Sequence, residues 1–119
     1  MKAVVLTLLG LVVATGLVSA HSAFLRSQPA NGATLKPAPN EIRIWFSEPI
    51  RTALSTIEVQ DASGKQVDLR NLRADEKEPT LVRVSLPEHL PPGVYRVLWS
   101  AVAQDLHVAR GSFSFHIAP

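Results

Sequence analysis

The chain has no cysteine, and its only methionine is Met1. The first absence excludes disulfide staples, thiolate metal sites and a thiol nucleophile. A small domain with this composition must be held by core packing, and by a bound metal if it carries one. Runs of like charge are also missing. Twelve Lys and Arg stand against ten Asp and Glu, scattered along the chain, so there is no basic stripe of the kind that follows a nucleic-acid backbone. Apolar residues spaced for one face of a helix are absent as well, which argues against a helical bundle.

Only one long apolar run is present, and it lies at the start. Lys2 is followed by an apolar stretch from Ala3 to Val13, and the segment closes on Val18-Ser19-Ala20. A charged beginning, an apolar middle and a small-residue end make a secretory leader. Thr7, Gly10, Thr15 and Gly16 interrupt the run, which barely reaches the roughly 18 to 20 apolar residues needed to span a bilayer. Cleavage after Ala20 is therefore expected, leaving residues 21–119 as one monomeric domain that does not span the membrane. Lys2 leaves with the leader, so 11 basic residues face 10 acidic ones and the formal charge is +1. Met1 leaves too, and the mature chain would carry no sulfur.

Beyond Ala23 the pattern is one of short strands separated by turn residues. Phe24 to Ser27 predicts a first strand stopped by Pro29, and Ala30-Asn31-Gly32-Ala33 a turn. Glu41 to Phe46 alternates, with Ile42, Ile44 and Phe46 on one face and Glu41, Arg43 and Trp45 on the other. Ser55 to Gln60 puts Ile57 and Val59 inward, and a turn over Asp61 to Lys65 leads to a strand at Gln66 to Leu69. The polar stretch Arg70 to Pro79 predicts an exposed loop. Leu81 to Leu86 follows, then Val94 to Ser100, whose two apolar faces suit a central strand, and finally Gly111 to Ile117. About seven short strands with these turn signals predict an all-β, immunoglobulin-like Greek-key β-sandwich. A barrel is the alternative closure.

The expected leader gives His21 its interest. Cleavage before it would expose an α-amine next to an imidazole, and the amine and Nδ1 are placed to close a chelate ring on one metal ion. Near the other end, Asp105 and His107 are two apart, so in an extended segment their side chains leave on the same face. Together with His21 they would form a set of three nitrogens and one oxygen. Such donors suit Cu(II) in a tetragonal arrangement, with Zn(II) as the rival ion. Cu(I), which prefers sulfur, does not fit. Spacing alone leaves open a solvated turn at Asp105 to His107 and an ordinary chain start at His21. His89 and His116 are expected at the surface, and Trp45 and Trp99 as core or sheet anchors.

Blocks of sequence add a resemblance. The stretch His21 to Ala33, then Ile44-Trp45-Phe46-Ser47-Glu48-Pro49, then Gly93 to Val102, then Asp105-Leu106-His107, then Gly111 to Phe115 together resemble the CopC (PcoC-like) copper-resistance proteins of the periplasm. The resemblance covers essentially the whole chain beyond the leader. It implies a β-sandwich that binds one Cu(II) per chain through an N-terminal histidine brace, with ligands at His21, Asp105 and His107 and with Glu48 behind them. It also implies copper resistance or homeostasis in the periplasm, by sequestration or by delivery to a CopD-like inner-membrane copper transporter, without catalysis. Two alternatives stand beside it: a histidine-brace copper oxygenase of the polysaccharide monooxygenase kind, and a metal-free immunoglobulin-like accessory module. The family loop commonly reads Asp-Gly-His, and here Leu106 fills the middle position. The methionine-rich Cu(I) site of some members has no counterpart.

Overall fold

The structure is a computed structural model that describes residues 22–119; the expected leader and His21 lie outside the described residues. Eight strands follow in order: β1 (Phe24–Gln28), β2 (Thr34–Leu35), β3 (Glu41–Phe46), β4 (Thr56–Gln60), β5 (Arg73–Ala74), β6 (Leu81–Ser85), β7 (Gly93–Val102) and β8 (Val108–Ile117), with a single 3-10 turn at Thr52–Leu54. They form two four-stranded sheets in the orders β1-β3-β6-β5 and β2-β8-β7-β4. All pairings are antiparallel except β2 with β8.

Period-two alternation explains why the sheets face each other. Ile42, Ile44 and Phe46 of β3 and Val82 and Val84 of β6 point inward from one sheet. They meet Ile57 and Val59 of β4, Tyr95 and Val97 of β7, and Phe113, Phe115 and Ile117 of β8. Each such side chain contributes about 1.5 to 3 kcal/mol when fully buried, which is how a domain without disulfides holds together. Tyr95 stacks on Phe115 with ring centroids 5.5 Å apart. Its hydroxyl donates to the Pro91 carbonyl at 2.6 Å, and burial, then the charge of Asp61, raises its pKa. Trp45 shares the outer face with Glu41 and Arg43, yet it is covered there by the Arg26 guanidinium, 3.7 Å from its ring centroid.

The structure departs from the sequence pattern in three places. Gln66 to Leu69 is not a strand: only Gln66 bridges to Gln60, and Val67 N–H then donates to the Val59 carbonyl. There the buried Asp68 carboxylate accepts the Val59 and Arg70 amides at 2.8 and 3.1 Å, so a side chain takes the place of ladder partners. Within the expected loop at Arg70 to Pro79, Arg73 and Ala74 pair with β6. Arg83 on β6 reaches Asp75 at 2.6 Å and Glu41 at 3.0 Å. Lastly, Thr34–Leu35 adds to the edge of β8.

The β7–β8 hairpin is longer than its apolar pattern. Its register runs without a break from Gly93↔Ile117 to Val102↔Val108, so the connection between the strands expected at Val94 to Ser100 and Gly111 to Ile117 shrinks to a tight turn. Ala103 N–H donates to the His107 carbonyl and Leu106 N–H to the Ala103 carbonyl, both at 2.9 Å. Leu106 closes the turn at φ +72°, in the left-handed region that costs a residue bearing a Cβ about 1 kcal/mol or more. Further along the ladder Gly111 pairs with Trp99, and a Cβ at Gly111 would clash with the indole. Trp99 in turn stacks on Phe24 with centroids 5.5 Å apart and meets Phe46 edge-on.

Three outcomes follow in urea denaturation. Leu106→Gly should raise stability by about 0.5 to 1 kcal/mol, since relief of the left-handed strain exceeds the added chain entropy. Gly111→Ala should lower it by about 1 to 3 kcal/mol, the usual range for overpacking. The third concerns acid. Desolvation acts to raise the Asp75 pKa, but amides of Lys77 and Glu78 and the Arg83 guanidinium outweigh it and lower the pKa overall. A depressed folded pKa contributes stability that is present above the unfolded value, about 3.9, and is lost as pH falls through the lower folded value. Asp75→Asn should therefore flatten the acid limb of the stability curve.

Candidate metal centre

The β7–β8 turn delivers two of the expected ligands side by side. Asp105 Oδ1 accepts the His107 backbone amide at 3.1 Å, and Asp105 Oδ2 lies 2.8 Å from His107 Nδ1. An ionised carboxylate only accepts, so Nδ1 carries the proton and Nε2 presents the lone pair. A carboxylate that fixes the tautomer of an imidazole in this way prepares its other nitrogen for a metal. A carboxylate oxygen has two lone pairs, so a carboxylate that holds an imidazole N–H is still of the right chemistry for a ligand. The pair is reachable: the His107 side chain is 66% exposed and that of Asp105 31%. The sequence expected an extended segment to aim both side chains one way, whereas the left-handed Leu106 brings them together in a turn.

The beginning of the described chain arrives at the same end of the sandwich. Ser22 is buried, and its hydroxyl donates to the carbonyls of Glu48 and Pro49 at 3.2 and 3.4 Å. Ala23 and Ser47 exchange bonds at 2.8 Å, the Ala23 amide to Ser47 Oγ and the Ser47 amide to the Ala23 carbonyl. The Pro49 carbonyl also accepts Gln104 Nε2 at 3.4 Å. One carbonyl thus receives a donor from the residue after His21 and a donor from the residue before Asp105. Glu48 is exposed and joins this arrangement through its main-chain oxygen.

The donor types fit a divalent ion that accepts imidazole nitrogen and carboxylate oxygen. Among the described residues no group of three or more His, Asp or Glu side chains stands close enough together to hold a metal ion. His89 and His116 are exposed and stand apart. Sequence reasoning missed Ser22, Gln104 and Arg51. Arg51 donates from Nε and Nη2 to the Gln104 carbonyl at 3.3 and 2.8 Å. Nothing in the spacing of polar residues so far apart in the chain signals such bonds.

With this geometry in view, comparison with known proteins is informative. A family model described as CopC domain matches residues 24–118. The chain is similar to copper transport protein CutJ of Bacillus subtilis (strain 168), 33% identical over 98 residues that make up 82% of this chain. The match spans only 18% of CutJ's own length. The fold is similar to the crystal structure of CopC from Methylosinus trichosporium OB3b, with a TM-score of 0.76 and 24% identity over 83% of this chain and 95% of that one. It is also similar to PcoC, a methionine-rich copper resistance protein from Escherichia coli, with a TM-score of 0.69 and 27% identity over 82% of this chain and 98% of that one. Because the matched residues take in all eight strands and the turn that carries Asp105 and His107, the chain belongs to the CopC family.

Proposed function

We propose that this protein binds one Cu(II) as cargo in the periplasm, through the α-amine and imidazole of His21, the carboxylate of Asp105 and Nε2 of His107. The shared Pro49 carbonyl carries the proposal, because it ties the residue after His21 to the residue before Asp105. The brace requires removal of the leader after Ala20, since the His21 nitrogen is otherwise an amide without a lone pair to give. Among the described residues no helix is long and apolar enough to cross a membrane. Glu48 supports the site from behind by accepting Ser22 through its main-chain carbonyl.

Copper(II) rather than copper(I) is the species bound. PcoC is described as methionine rich, whereas the only methionine here is Met1, so sulfur donors for Cu(I) are absent from the mature chain. Copper resistance or homeostasis follows, by sequestration or by release to a CopD-like inner-membrane transporter. The match to a short part of a protein named as a copper transport protein supports the second route. The protein acts as a monomer, and no catalytic step is assigned to it.

Titration of the processed protein with Cu(II), followed by electron paramagnetic resonance, should show one type-2 site per chain with nitrogen hyperfine structure. His21→Ala or His107→Ala should weaken binding by at least about a hundredfold, the loss of one strong donor costing several kcal/mol. A variant with one extra residue before His21 should lose nearly as much, and equal affinity in that variant would falsify the brace. Affinity should also fall as the solution is acidified, because protons compete for the amine and imidazole nitrogens.

A further inference from the structure

We propose that Arg51 is a positioning residue for copper, and that its side chain sets how long the Asp105–His107 turn retains the ion. The inference rests on the copper reading above and assigns to that site a residue that offers no ligand of its own. Arg51 lies between β3 and the 3-10 turn, and its guanidinium forks onto the Gln104 carbonyl through Nε at 3.3 Å and Nη2 at 2.8 Å. That carbonyl belongs to the peptide leading directly into Asp105. The side chain of the same Gln104 is held by the Pro49 carbonyl, two residues before Arg51, at 3.4 Å. Gln104 is therefore gripped at both ends, and the plane of the 104–105 peptide is fixed just before the carboxylate.

The turn needs such a grip. Leu106 sits at φ +72°, so the turn stores strain that would relax if its preceding peptide were free to rotate. Relaxation would pull Asp105 away from His107 and undo the 2.8 Å bond that fixes the imidazole tautomer. A charge-assisted bond from a forked guanidinium is stronger than a neutral one and specifies direction as well as distance. Lysine has neither the fork nor the plane.

The Arg51 backbone has separate anchors. Its amide donates to the Val102 carbonyl at 2.8 Å, and its carbonyl accepts Ser55 Oγ at 2.7 Å. Ser55 Oγ in turn accepts the Val102 amide at 2.9 Å, and Ile50 bridges to Ala103. Replacing the exposed side chain thus leaves the segment in place and removes only its hold on Gln104.

The test compares the processed wild type with Arg51→Ala and Arg51→Lys. In metal-free protein, NMR hydrogen exchange at the Ala103, Leu106 and His107 amides should quicken about tenfold in Arg51→Ala, as expected for one lost charge-assisted bond. In copper-loaded protein, the rate of Cu(II) release to a chelator should rise about tenfold, and the copper hyperfine splitting should shift. Arg51→Lys should fall between the two on every readout. A wild type that takes up Cu(II) beside an Arg51→Ala variant with unchanged exchange, release and hyperfine splitting overturns the positioning role alone. A processed wild type that takes up no Cu(II) overturns the copper reading and this proposal together.

Discussion

The unbroken ladder between β7 and β8 is the constraint on which the rest of the molecule depends. Ten consecutive pairs, from Gly93↔Ile117 to Val102↔Val108, leave no slack in register. A slip of β8 by one residue would turn Phe113 and Phe115 out of the core and bring Ser114 in. The core that these residues build with β3, β4 and β6 therefore locks the ladder, and the ladder in turn fixes where the chain reverses. That reversal is the turn from Ala103 to His107. Its two candidate ligands owe their position to apolar packing along the whole length of the hairpin.

At the turn, local preference and tertiary demand oppose each other. A reversal this tight needs one residue in the left-handed region, and glycine would adopt it without cost. Leu106 adopts it at φ +72° while its side chain remains exposed, so packing offers no compensation there. What compensates is polar: the paired Ala103–His107 and Leu106–Ala103 bonds, the double acceptance by Asp105, and the grip of Arg51 on Gln104. A strained turn held by hydrogen bonds with exposed partners has low local stability.

Aromatic packing joins this turn to the first strand. Phe24 stacks on Trp99 and contacts Phe46 and Phe113, and the absence of a Cβ at Gly111 makes room for the indole. The start of β1 is thereby fixed on the same end of the sandwich as the turn. Ser22 completes the approach through the Glu48 and Pro49 carbonyls. Without disulfides, this combination of rings and shared carbonyls is what brings the start of β1 and the β7–β8 turn together.

Much of this was legible in the sequence. Alternation marked β3 to the residue and set the inward face of β4, because a period of two in apolar residues has one physical solution when a single core is available, and two apolar faces made β7 central. The pattern also picked out Asp105 and His107 as a pair, and ordered blocks of residues identified the family. Other features were decided only by tertiary structure. Asp68 replaced ladder bonds with its carboxylate and cancelled a strand that propensity favoured. Arg73 and Ala74 formed a strand inside a polar stretch, beside the Arg83 network. The meeting of Ser22, Pro49, Arg51 and Gln104 left no trace in spacing, because bonds between residues some fifty positions apart depend on how the sheets stack and not on any local periodicity. Sequence determined which side chains carry donor atoms, and the packing of two sheets decided which of them stand together.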